Sequence, residues 1–226
     1  MLDFVLTALL ATLPAQAQQI ASQAPPSGAD LDALIKDYEV TSQNFANSLQ
    51  VVQVYVPNCG SYGDLFAQKM AEAVPAAQAQ RKRVLDALKQ AQADLDAQSK
   101  ALAGTIGGQA GAGQAAVLGA ANVIQAGVAK PSKVIDEEVA GLKPRLQQME
   151  SNLSQARWVL SENNPACKTA SKTFESGRTL GLSIPGKLQA IKSALADRRT
   201  SLLSWAGEIQ KSLVSGMDTA SVAQNK

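Results

Sequence analysis

Residues 101–129 read ALAGTIGGQAGAGQAAVLGAANVIQAGVA, a run of Ala, Gly, Gln and a few β-branched residues without a single charge. The segments on both sides are charged and heptad-patterned, so the run reads as the tip of a helical hairpin whose arms are those segments. Gly104, Gly107, Gly108, Gly111 and Gly113 each weaken a helix by up to about 1 kcal/mol relative to Ala, and they mark where the chain turns back. Residues 114–129 have the composition to resume a helix before Pro131.

The arm before the tip starts near Asp64 and runs to about Ala103. Its apolar seam passes through Phe66, Met70, Val74, Ala77, Val84, Leu88, Ala91, Leu95 and Leu102. Pro75 lacks an amide hydrogen and clashes with the preceding turn, so a kink or break is expected there. The arm after the tip is expected to be capped by Ser132. Its seam is Ile135, Val139, Leu142, Leu146, Met149, Leu153, Ala156 and Leu160, in steps that alternate four and three as in a coiled coil. Pro144 should bend it, and Asn163-Asn164-Pro165 stops it.

An earlier helix is capped by Ser27 or Asp30. Its seam, Leu31, Ile35, Tyr38, Ser42, Phe45, Leu49, Val52 and Val56, has the same alternation. Residues 51–56 could form a strand but have no partner strand in sight, so helix is expected up to Pro57, with a turn over residues 58–63. Residues 168–186, with Gly177, Gly181, Pro185 and Gly186, read as polar and irregular. A last helix then places Leu188, Ile191, Leu195, Leu202, Trp205, Ile209 and Leu213 on one face and ends at Gly216. The fold class is all-α: an elongated antiparallel helical hairpin or coiled-coil bundle of about four helices with a Gly/Ala-rich tip. An aromatic content of 4% suits close-packed helices better than a bulky core.

The boundaries follow. Residues 1–17 read as a signal peptide, with an apolar core over 4–13 and small residues at Ala15 and Ala17. Asp3, and the lack of any Lys or Arg before the core, depart from that pattern. Residues 18–29 form a flexible leader containing Pro25-Pro26-Ser27-Gly28, 30–216 the bundle with its tip at 101–129, and 217–226 a polar, mobile tail. Cleavage after Ala17 would remove Asp3 and take the formal charge from +2 to +3. The chain is therefore expected outside the cytoplasm: periplasmic, on the cell surface or extracellular.

The chain has two cysteines, Cys59 and Cys167. In an exported protein such a pair suggests one disulfide. If the arms fold back across the tip, Cys59 just before one arm and Cys167 just after the other fall at the same end, and a bond there clamps the base of the hairpin.

The sequence argues against most chemistry. It contains no histidine, which removes the commonest general base and zinc ligand together. Asp136-Glu137-Glu138 reads as a solvated first turn that complements the helix dipole. The run Gly181 to Lys187 has phosphate-loop spacing, but Leu188 stands where Ser or Thr would hold magnesium and no strand precedes it. Arg81-Lys82-Arg83 and Arg198-Arg199 read as solvated faces, since a charge of +2 makes no case for nucleic acid. Trp158 and Trp205 read as core residues.

The expected function is non-enzymatic, without cofactor, metal or nucleic acid: structural or interaction work with protein partners in a cell-envelope, secretion or pilus-like assembly, self-association included. In architecture alone the expected bundle resembles the minor pilins of type IV secretion systems. The residues expected to touch a partner or a membrane are those of the tip: Gly104, Ile106, Gly107, Gly108, Gly111, Gly113, Val117 and Leu118. Small residues four apart also pack helices in lipid, so a membrane-inserting pore-forming protein is the main rival. A periplasmic inhibitor or chaperone is another.

Overall fold

The computed structural model describes residues 25–59, 61–106, 110–157 and 164–224. Among them every regular element is helical: α1 (Ala29–Tyr55), a 3-10 turn (Val56–Cys59), α2 (Ser61–Thr105), α3 (Ala110–Gly127), α4 (Ala129–Arg157) and α5 (Pro165–Gln224). The protein is all-α. The signal-peptide segment and Trp158 lie outside the described residues. The chain forms two compact units, one of Leu31–Lys89 with Pro131–Ser193, the other of Met1–Asp30, Gln90–Lys130 and Ala194–Lys226.

The first unit is a four-helix bundle of α1, residues 61–89 of α2, residues 131–157 of α4 and residues 165–193 of α5. Arg81 of α2 reaches Ser42 and Lys89 reaches Glu39, so α1 and α2 run antiparallel. Asp136 meets Lys192 and Glu150 meets Arg178, which makes α4 and α5 antiparallel. Arg83 pairs with Glu137 across the two expected hairpin arms. All eight seam residues of α1 are buried. So are eight of the nine on α2, Ala77 being half-buried. The helix runs on through Pro75.

At one end of this bundle Cys59 and Cys167 form a disulfide, with Cα atoms 5.4 Å apart. Beside it the Asn164 side-chain amide donates to the Asn58 carbonyl at 2.8 Å. Asn164 also caps α5, accepting the Ala166 amide at 2.9 Å, and Pro165 takes the first helical position, where a missing amide hydrogen costs nothing. Ser27 does the same for α1 by accepting the Ala29 amide.

Four expectations need correction. Residues 168–186 are not irregular: α5 is helical throughout. Two of the glycines taken as punctuation are points of close helix approach. A Cβ on Gly177 would lie 2.8 Å from Ser48 Cβ, and one on Gly181 would lie 2.9 Å from Leu146 and Phe45. Nor does α5 end at Gly216, since it continues to Gln224 through the segment read as a mobile tail. Ser132 does not cap α4, which begins at Ala129 with Pro131 in its first turn, where proline is tolerated. Finally, the α4 seam departs from expectation at one position. Ile135, Glu138, Leu142 and Leu146 are buried, whereas Val139 is only half-buried.

In the second unit, the charge-free run is mostly helix. Among its described residues only Ile106 and Val128 lie outside α2, α3 and α4. On α3 the buried positions Gly113, Val117, Ala120 and Ile124 recur at steps of four, three and four, so one face seats itself despite the glycines. At Gly113 α3 lies close to α5: a Cβ there would lie 3.2 Å from Leu213. The seam of α5 is buried from Leu188 to Ile209, Trp205 included.

Candidate functional site

Beside the apolar seam of α4 a carboxylate lies inside the four-helix unit. Glu138 is 6% exposed, and burying a charge in this way is costly unless it is paired. Its partner is Arg145, seven residues on and on the same helix face, whose Nη2 donates to Oε2 at 3.1 Å. Arg145 Nε donates to the Gly141 carbonyl at 2.8 Å, which fixes the guanidinium plane against its own helix.

Across from this pair, α1 and α2 supply Tyr38, Ser42 and Arg81. Arg81 Nε donates to Ser42 Oγ at 3.2 Å, and its Nη2 donates to the Glu39 carbonyl at 3.4 Å. Burial pushes the Tyr38 phenol well above its ordinary value. The nearby Glu138 carboxylate pushes the same way, and Arg81 and a hydrogen bond with Ser42 only partly oppose them. Tyr38 therefore stays neutral across the physiological range.

These five side chains line one end of a cavity of about 410 Å³. Much of the rest of its wall is apolar, with Phe45, Phe66, Met70, Leu142, Leu146 and Ile184 among its members. The room exists because α2 presents Ala73, Ala76 and Ala77 along this stretch, where a close-packed interior would need bulkier side chains. Lys69 and Glu72 complete the set of charged groups around it.

The chain matches no protein-family model, no curated protein and no solved structure.

None of the cavity's polar residues was expected as a site. By sequence Glu138 reads as a solvated residue and Arg81 as part of a solvated basic face. Arg81 is half-buried and engaged, whereas its neighbours Lys82 and Arg83 are exposed. Arg198 departs further from the solvated reading. It is 7% exposed and sits in the second unit against Gly28 and Asp96, with its Nη2 on the Asp96 carboxylate. The only sequence signal for the cavity was the cluster of small residues on α2 near Pro75. Gly181 to Lys187, with its phosphate-loop spacing, is interior helix, and Lys187 pairs with Asp37.

The tip residues divide. Gly113 and Val117 face into their unit and are buried. Leu118 is 48% exposed, and Gly104 opens onto free space. Ile106 is half-buried in the turn. Gly107 and Gly108 lie outside the described residues, and Gly111 is in the first turn of α3. Ala115, Ala116, Leu118, Gly119, Asn122 and Val123 form an outward face of α3 with no charge on it. On α2, by contrast, Lys82, Arg83, Asp86 and Lys89 are all exposed. Among the described residues no helix is long and apolar enough to cross a membrane, and no group of three or more Cys, Asp or Glu is placed to hold a metal.

Proposed function

We propose that this chain is an exported, non-enzymatic interaction protein, a subunit of a cell-envelope, secretion or pilus-like assembly. The observation that carries the reading is the outward face of α3. Leu118 and Val123, at 48% and 45% exposure, stand on a helix surface without charge. Covering such a face strands no ion, and a contiguous uncharged patch marks an interaction surface. Its occupant is a partner subunit that offers an apolar, uncharged helix of its own. Export is supported by the residues at 4–17 and by a disulfide, which persists in an oxidising compartment.

The test is site-specific photocrosslinking in the native envelope, from position 118 on α3 and from position 82 on α2 as control. A single adduct from 118, absent from 82 and lost in a Val123→Glu chain of unchanged melting temperature, is the expected result. An adduct of twice the chain's mass makes the partner a second copy. No adduct from 118, or a chain that keeps its first 17 residues and stays in the cytoplasm, would overturn the proposal. Dye release from liposomes that Leu118→Glu abolishes would replace the protein partner with a membrane.

A further inference from the structure

We infer that the cavity of the four-helix unit is a binding site for a small amphipathic monoanion, with an apolar body and one carboxylate head. Its size suits a ligand rather than a packing fault. At about 30 Å³ per water-sized group, 410 Å³ holds on the order of fourteen non-hydrogen atoms. Cavities of roughly 300–1,000 Å³ with apolar walls and a few converging polar groups are the usual form of small-molecule sites.

The polar end selects the head group. Five charged residues line the cavity: Lys69, Glu72, Arg81, Glu138 and Arg145. Glu138 is buried and already committed to Arg145, which leaves Arg81 as the guanidinium without a carboxylate partner. The two arginines use Nε and Nη2 in their hydrogen bonds, and the Nη1 donors are not engaged in those bonds. A guanidinium edge matches a carboxylate in two parallel hydrogen bonds, which an ammonium cannot do. Tyr38, held neutral, adds a hydroxyl able to donate to the same oxygen atoms. A second buried cation would face Arg81 and Arg145 unpaired, and a neutral apolar molecule would leave their donors unused.

The apolar end accepts the body. Phe45, Phe66, Leu142, Leu146 and Ile184 are fixed walls, while Met70 and Met149 are unbranched and polarisable and can adjust to a chain or a ring. The structure therefore sets the chemistry of the head more tightly than that of the body. Two probes of matching size, dodecanoate and 2-naphthoate, distinguish an acyl chain from an aromatic acid.

The experiment is isothermal titration of the oxidised full chain with each acid and with dodecan-1-ol. One acid should bind at one site per chain, and the alcohol should bind at least tenfold more weakly. Arg81→Gln should weaken the acid by about tenfold or more and leave the alcohol unchanged. Ala77→Leu, which fills the cavity, should abolish binding while the far-UV spectrum stays helical. If a variant fails to fold, the comparison of acid with alcohol on the wild-type chain still decides. Equal affinity for acid and alcohol, no saturable binding of either acid, or binding that survives in a folded Ala77→Leu chain would each overturn the proposal.

Discussion

Gly177 and Gly186 sit in the same helix, nine residues apart, and alanine should have opposite effects at the two. Gly186 is exposed, with nothing within 4 Å of the position a Cβ would take. Alanine there gains helix propensity and narrows the unfolded ensemble, together worth up to about 1 kcal/mol. At Gly177 the same gain meets an obstacle. The new methyl would lie 2.8 Å from Ser48 Cβ, where about 3.5–4.0 Å is a relaxed contact. Ser48 Cβ is bonded directly to the α1 backbone and cannot swing aside as the end of a long side chain can, so α1 and α5 must part by about 1 Å. Overpacking of this kind costs about 1–3 kcal/mol. Gly177→Ala is thus expected about 1–2 kcal/mol below wild type and Gly186→Ala up to about 1 above it. For a chain of this length a gap of about 1–3 kcal/mol separates the melting temperatures by about 2–12 °C. The assay is urea and thermal unfolding of the oxidised protein followed by helical ellipticity, with equal m values required for the comparison. If Gly177→Ala is as stable as Gly186→Ala, α5 does not pack on α1 at this point and the reasoning fails.

Reducing the Cys59–Cys167 bond, which spans 108 positions, should remove about 4–5 kcal/mol by the chain-entropy relation. Urea midpoints with and without reductant, and a Cys59→Ala/Cys167→Ala chain that no longer responds to reductant, check this. Tyr38 gives a pH prediction. Its folded value is raised, so the unfolded chain loses the phenolic proton first, from about pH 10. The Tyr38 contribution to stability is complete below that pH and is lost as pH rises toward the folded value. Over pH 9 to 11.5 the wild-type chain should therefore lose more stability than Tyr38→Phe, and parallel curves would show that the phenol is not buried beside Glu138.

What could be read from the sequence was whatever depends on a helix's own periodicity. The α1 seam from Leu31 to Val56 and the α5 seam from Leu188 to Ile209 required only that apolar residues recur in steps of three and four, and one face of each helix is buried accordingly. The cysteine pairing was legible for a related reason, since it follows from which ends of antiparallel helices coincide. Facts that belong to two helices at once were not legible. Gly177 reads as a breaker when only α5 is considered. The atom that requires it, Ser48 Cβ, is more than a hundred residues away in the chain, so the helix was mistaken for a loop. The tip was legible in part. Its composition allows a helix from residue 114, and α3 does cover that stretch; what composition hid is that the helix starts earlier, at Ala110, with Val117, Ala120 and Ile124 burying one face.

The register of α4 is the case that hid the cavity. Both Glu138 and Val139 sit within the tolerance of a heptad stripe, and hydropathy favours the valine inside. With the glutamate inside instead, four polar groups follow from it: Arg145 as its ion pair, Tyr38 held neutral beside it, and Ser42 with Arg81 closing the opposite wall. A bundle needing only stability has a simpler solution, because an apolar residue at the buried position of Glu138 would need no ion partner. Small alanines along α2 add a void that dense packing would fill. The two departures from good packing, a buried charge and an empty volume, occur at the same place and serve neither helix periodicity nor core density. Their coincidence is what a ligand with one anionic end would require. A chain in which Glu138 becomes leucine while Arg145 becomes methionine should thus keep or gain stability, and a urea midpoint well below wild type would show that the pair is kept for stability instead.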